Sequence, residues 1–192
     1  TLTQNSIDIM KKLDGPLTIT TYANMFDENY FRALPRYYNE DFNRFEKYIR
    51  FKPEIKMKYV YYYDKTNNPT LEQRYPGLTD EQRLKKICDA LDWDVKRVLT
   101  PEQIRAKEDL SGEYNKYVRV IERGNGQKSY LRLYEDNYRH PTETEISAAL
   151  KRMVIKSPVV AFLTGHGERS IDGIGERDYY AFSQYKDFRS SL

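Results

Sequence analysis

Hydrophobic and polar positions along this chain repeat with two periods, and the switches between them predict the order of elements. From Thr3 to Leu13 (TQNSIDIMKKL), Ile7, Met10 and Leu13 recur at helical spacing behind Thr3 as N-cap, and Asp14-Gly15-Pro16 stops the run. LTITTYANM, from Leu17, is a β-branched run suited to a buried strand. After the polar corner Asp27-Glu28-Asn29, Pro35 to Phe51 places Tyr38, Phe42, Phe45 and Ile49 on one helical face, and Pro53 ends it. IKMKYVYYYD then alternates Ile55, Met57, Tyr59 and Tyr61 against Lys56, Lys58, Val60 and Tyr62, the period of a strand.

Pro69 to Gly77 reads as loop. Thr79-Asp80-Glu81 opens a further helix carrying Leu84, Ile87, Cys88 and Leu91. Between Asp92 and Tyr114 the pattern is weak, with a short helix expected after Pro101. Tyr117–Glu122 and Tyr130–Tyr134 alternate on either side of Arg123-Gly124-Asn125-Gly126, which predicts a β-hairpin. TETEISAALKRMV follows as a helix with Ile146, Ala149, Leu150 and Met153 inward. VVAFL, from Val159, reads as a new strand, and Asp178 to Leu192 as a last helical pattern with Tyr180, Phe182 and Tyr185. Strands that alternate with helices call for a layered α/β core.

Composition narrows the function classes. Of 192 residues, 39% are hydrophobic and 32% charged, with 18 Tyr and 8 Phe, which is too much core material for a disordered chain. A net charge of +3, with acids and bases interspersed, gives no argument for nucleic acid or an anionic membrane as partner. A single cysteine excludes an intrachain disulfide and multi-cysteine metal sites. Cys88 sits at core spacing in LKKICDAL, so a buried thiol is expected rather than a nucleophile. No apolar run approaches the ~18 residues of a membrane helix, and no signal peptide is present. A start at Thr1 rather than Met reads as an excised or processed soluble piece.

The succession of elements from Thr3 to Lys156 resembles that of the thioredoxin fold, most tellingly in the hairpin followed at once by a helix. Redox chemistry on that scaffold needs a Cys-x-x-Cys pair after the first strand. Here that corner reads Met25-Phe26-Asp27-Glu28-Asn29, so a dithiol oxidoreductase is excluded. LTQNSIDIMKKLDGPLTITTY near the start and VVAFLTGHGER after the TETEISAALKRMV helix resemble the auxiliary-component family of ABC transporters, gliding-motility G protein-like members of Bacteroidetes included. The resemblance implies the soluble part of a membrane-anchored protein at the periplasmic face of the inner membrane, associated with an ABC permease and ATPase. It implies a thioredoxin-like domain over 1–156. It also implies that 157–192 begins a second α/β domain of glutamine-amidotransferase-like fold, through its first strand and helix. Membrane attachment would come from segments outside this chain, and homo- or hetero-oligomers are compatible with it.

The string Thr164-Gly165-His166-Gly167-Glu168-Arg169 gathers two glycines, a histidine, an acid and a base. Its bland reading is a strand-to-helix corner whose glycines supply backbone angles. Glycine-rich turns at the carboxyl ends of strands also present N–H groups to ligands. The candidate ligand or partner contacts are therefore Gly165, His166, Gly167, Glu168 and Arg169. Catalysis is not indicated: no serine or cysteine stands at a nucleophile elbow, and the residue between the two glycines is histidine itself. His140 is the only other histidine; at a helix entrance it is expected to face solvent or support the cap, and no metal or cofactor is expected. The cluster Tyr59, Tyr61, Tyr62 and Tyr63 suits a ring platform for sugars, peptides or single-stranded nucleic acid, against the simpler reading of core and edge residues. The family resemblance implies a non-enzymatic extracytoplasmic binding domain of an ABC transport system; the residues themselves carry only the fold class, the missing redox pair and the missing nucleophile. The alternatives are an enzyme whose site is completed by residues beyond Leu192, or a carbohydrate- or peptide-binding module using exposed tyrosines.

Overall fold

The computed structural model describes residues 1–163, 165–175, 178–189 and 191. Helix α1 (Gln4–Lys11) starts where the Thr3 hydroxyl accepts the Ser6 N–H. Strand β1 (Leu17–Asn24) follows, then 3₁₀ turns at Tyr30–Ala33 and Pro35–Tyr37, and helix α2 (Tyr38–Phe51). Strand β2 (Lys56–Tyr62) leads to helices α3 (Pro69–Arg74) and α4 (Asp80–Leu91). Thr79 and Gln82 close a reciprocal capping box on α4, satisfying two backbone N–H groups that would otherwise lack acceptors. A two-residue strand β3 (Val98–Leu99), helix α5 (Pro101–Lys107), the hairpin β4 (Val118–Arg123) and β5 (Lys128–Arg132), and helix α6 (Glu143–Lys151) complete the α/β body. A short helix α7 (Tyr180–Ser183) lies near the end.

The five strands form one mixed sheet in the order β3-β2-β1-β4-β5. β1 runs parallel to β2 and antiparallel to β4, so Ile19 lies between Met57 and Ile121. Alternation then sorts side chains to two faces. Leu17, Ile19, Ile121 and Leu131 face α1, α2 and α6, where Ile9, Met10, Phe45, Tyr48, Ile146 and Leu150 are buried with them. Tyr22, Tyr62, Val118 and Val120 face the other way, onto Ile104 and Leu110. At the carboxyl ends of β1 and β2, Met25, Phe26, Tyr61 and Tyr63 pack on Leu84, Ile87 and Cys88 of α4. Burying one such side chain contributes about 1.5–3 kcal/mol, so these helices are held by packing more than by propensity.

Four expectations are corrected. The buried face of α2 is Asp41, Phe45 and Tyr48, while Phe42 is 44% exposed. Asp41, Phe45 and Tyr48 also share a helical face, but hydrophobic spacing cannot anticipate an acid turned inward to meet a buried cation. Pro69–Gly77 is not all loop, because α3 begins with Pro69 in its first turn, where a missing N–H costs nothing. Val159–Leu163 forms no strand: Val159 is 91% exposed, and the run makes no backbone hydrogen bond among the described residues. β-branched composition suits pairing, but a strand needs a neighbour to pair with. The helical pattern over 178–192 is realised only as Tyr180–Ser183; Ser190 and Leu192 lie outside the described residues.

Candidate functional site

Open α/β sheets place ligands beyond the carboxyl ends of their parallel strands, and here that end is occupied by the corner after β1. Asn24 builds it. Its amide donates to the carbonyls of Asp64 (2.9 Å) and Asn115 (3.0 Å), and its side-chain oxygen accepts the N–H groups of Phe26 (3.0 Å) and Asp64 (3.2 Å). An asparagine side chain has two donors and two acceptor sites, so the fully buried Asn24 is saturated. The Met25 N–H reaches the Tyr62 carbonyl at 2.7 Å, and the Asn68 amide holds the Phe26 carbonyl at 2.8 Å. The corner is therefore tied to β2 and to the start of α3.

Asp27 is turned inward from this corner. Its carboxylate accepts the Tyr117 N–H at 2.9 Å through Oδ2, while buried Oδ1 has no hydrogen-bond partner. The Lys116 ammonium stands 3.6 Å from Oδ1. Burial pushes the Asp27 carboxyl above its ordinary value, and the Tyr117 N–H and Lys116 only partly oppose it. A buried, perturbed carboxyl at a strand end is the kind of group found at functional sites.

Beside Asp27 opens a cleft of about 320 Å³, bounded by Tyr30, Phe31, Leu71, Tyr75, Ile87 and Ala90. Its size falls in the range of ligand pockets, and its lining combines aromatic and aliphatic surface with a few polar groups. Burial and the adjacent Tyr75 raise the Tyr30 hydroxyl's pKa, so it stays a neutral donor. α3, the element missed in the sequence, supplies one wall of this cleft.

A second polar cluster lies under α2. Arg119 of β4 is fully buried, donates to Asp41 Oδ1, and lies 3.4 Å from His140 Nδ1. Tyr59 donates to Asp41 Oδ2 at 2.9 Å. Arginine has no acceptor, so His140 Nδ1 must accept and the ring's proton resides on Nε2. The expectation that His140 faces solvent or supports a cap is corrected: it is 8% exposed. Burial lowers its pKa to about 3, helped by the cations Arg119, Arg44 and Arg32, so the ring is neutral at ordinary pH. Phe45 and Tyr117 place their rings 5.5 and 5.1 Å from the Arg119 guanidinium carbon, which offsets part of its lost hydration.

Gly165, His166, Gly167, Glu168 and Arg169 are all exposed, as a contact surface requires. Gly165 (φ 148°) and Gly167 (φ 88°) occupy backbone conformations that favour glycine. Arg169 lies 5.7 Å from the Tyr179 ring centroid. They do not join the Asp27 cleft or the Arg119 cluster, and among the described residues the run directly before them, 159–163, forms no strand; Thr164 lies outside the described residues. Cys88 is fully buried, and burial raises its thiol pKa, which suits core and not a nucleophile.

The tyrosine platform is corrected. Tyr61, Tyr62 and Tyr63 are buried because β2 is interior to the sheet and both its faces are covered. Tyr59 is half-buried and stacks on Tyr38 with centroids 4.1 Å apart. Among the described residues, no cluster of acids, His or Cys is arranged to hold a metal, and no helix is long and apolar enough to cross a membrane. Comparison with protein families, curated proteins and solved structures gives no match.

Asn24, the buried state of Asp27, and Arg119 are features that sequence reasoning missed. The available signal for the first two is a run of polar residues directly after a buried strand. For Arg119 it is the strand period, which puts it on the same face as Ile121.

Proposed function

We propose that this chain is a non-enzymatic extracytoplasmic binding domain of an ABC transport system, with a thioredoxin-like scaffold over 1–156. In this reading it engages a ligand or partner subunit at the carboxyl end of β1. The sheet order supports the scaffold: β2-β1-β4-β5 with a parallel first pair, an antiparallel hairpin and α6 directly after it. The observation that carries the binding role is the rigid, thiol-free corner at Asn24–Asp27 opening onto the 320 Å³ cleft. Its hydrogen bonds are already made, so a ligand meets a preformed surface and little ordering cost is added on binding.

Residues 157–192 open a second domain in this proposal. The exposed apolar run at 159–163, which makes no backbone hydrogen bond among the described residues, supports it, since a neighbouring strand would both pair with it and cover it. Gly165, His166, Gly167, Glu168 and Arg169 then form a second contact surface for the permease, through which the ATPase is associated. The protein would be anchored at the periplasmic face of the inner membrane by other segments.

The test is affinity capture from the native membrane with the complete protein as bait. Three baits are compared: wild type, Ala90→Trp and His166→Ala. Ala90 is exposed on α4 and lines the cleft, so tryptophan fills it without entering the core. Recovery of a permease and an ATPase by wild type, and its loss with Ala90→Trp in a protein of unchanged melting temperature, is the expected result. Failure of wild type to recover any transporter subunit overturns the transport reading. Equal recovery by wild type and Ala90→Trp overturns the role of the cleft, and equal recovery by His166→Ala removes the glycine-flanked histidine from the contact surface.

A further inference from the structure

A cleft of about 580 Å³ lies between β5, α6 and the segment around α7, separate from the site proposed above, and its charge is unbalanced. Arg132, Arg152, Lys186 and Arg189 line it, against the single carboxylate Glu145. Two of the cations are neutralised locally. Arg132 is paired with Glu113 at 2.7 Å, and Arg189 with Asp136 at 2.7 Å and Glu145 at 2.6 Å. The other two have no carboxylate partner among the described residues. Arg152 makes only long contacts, Nε to Ser129 Oγ at 3.3 Å and Nη2 to the Tyr130 carbonyl at 3.4 Å. Lys186 donates to the Gly112 carbonyl, with its ammonium 5.3 Å from the Tyr114 ring centroid.

We propose that this cleft binds a soluble multivalent anion, of the phosphate-ester or diphosphate class, with the Arg152 guanidinium and the Lys186 ammonium as its principal contacts. A cleft with an excess of one sign of charge and low-dielectric walls concentrates counter-ions. A guanidinium with free N–H groups matches a phosphoryl oxygen pair bidentately, and an ammonium adds a point charge. The hydroxyl of exposed Thr144, also lining the cleft, supplies a neutral donor. Burial and the neighbouring Arg132 cation depress the Arg152 pKa, and a bound anion would relieve the repulsion between the two guanidinium groups. The volume accommodates an organic phosphate larger than inorganic phosphate.

The experiment is calorimetric titration of the full chain with inorganic pyrophosphate at fixed ionic strength. Arg152→Gln is compared with Lys11→Gln, an exposed cation on α1 that does not line the cleft. Expected are saturable one-to-one binding by wild type, binding about tenfold or more weaker in Arg152→Gln, and no change in Lys11→Gln. Lys186→Gln, a second cleft variant, should weaken binding in the same sense and replaces Arg152→Gln if that chain does not fold. No saturable binding by wild type overturns the proposal, as does an equal loss in Lys11→Gln, which would mean general surface charge. Phosphatidylglycerol vesicles run in parallel: binding to vesicles that depends on Arg152, without pyrophosphate binding, overturns it in favour of a lipid surface.

Discussion

Replacing Asp27 with asparagine removes a charge that the fold holds at a cost. The unpartnered Oδ1 is an acceptor buried without a donor, a situation that costs about 1–3 kcal/mol, and more when the group is charged. Lys116 offsets little of this: at 3.6 Å and 38% exposed, it is a partly solvated pair of the sort that contributes about 0–1 kcal/mol. The amide oxygen of the substituted side chain would keep the Tyr117 N–H bond, which uses one oxygen only. The sign of the pH effect follows from the raised pKa. Between the ordinary value of 3.8 and the higher folded value, the native state binds more protons than the unfolded one, so this group's contribution to stability falls as pH rises through that window. Above the folded pKa the loss is complete and constant, at ~1.4 kcal/mol for each pH unit separating the folded and unfolded pKa values.

The assay is urea denaturation of wild type and Asp27→Asn at several pH values from about 4.5 to about 8.5, spanning the window above the ordinary carboxylate range. The difference between the two curves isolates Asp27 from the other carboxylates. Asp27→Asn should be nearly isostable where Asp27 is protonated and more stable by about 1–2 kcal/mol at high pH, worth a rise of a few degrees in melting temperature. A difference that stays flat across the range would refute the account of Asp27 as an undercompensated buried charge. So would a wild type that is the more stable protein at the upper end of the range.

Asp41→Ala should destabilise the fold by about 3–5 kcal/mol in thermal or urea melts, because it strands the Arg119 cation in the core; a loss below ~1 kcal/mol would show that Arg119 escapes to water. The buried neutral His140, with its pKa lowered from 6.5 to about 3, contributes stability that is full above pH 6.5 and lost as pH falls toward 3. His140→Gln, which keeps an acceptor for Arg119, should flatten the stability profile between about pH 6.5 and about pH 4, and an unchanged slope would place the acid sensitivity elsewhere. Cys88, fully buried with a raised thiol pKa, should react with iodoacetamide only at the rate of unfolding, measured by mass spectrometry with and without urea; fast labelling of the native chain contradicts its burial.

How far the chain could be read without its fold differs from element to element. Helices α1, α4 and α6 are legible because a cap residue precedes a long apolar stripe, as with Thr3 before Met10 and Leu13 and Thr79 before Leu84, although α1 buries Ile9 where the spacing puts Ile7. The hairpin is legible because alternation breaks at Gly124-Asn125-Gly126. α3 and β3 are not, since six and two residues are too few to establish a period. Of the candidate sites, the Gly165–Arg169 string is visible as composition, and the Asn24–Asp27 corner only as a polar interruption.

The local pattern of residues by itself determined the α/β class, the thiol-free corner after β1 and the core position of Cys88, because each depends on neighbours a few positions apart. Tertiary structure alone decided that Asp27, Arg119 and His140 are buried, that Tyr62 is core, and that the run at 159–163 pairs with no strand among the described residues. Those outcomes depend on which distant segments cover a face: Tyr117 meets Asp27 from 90 positions away, and Asp41 meets Arg119 from 78. Burial and charge compensation are properties of such meetings, and no window along the chain contains both partners.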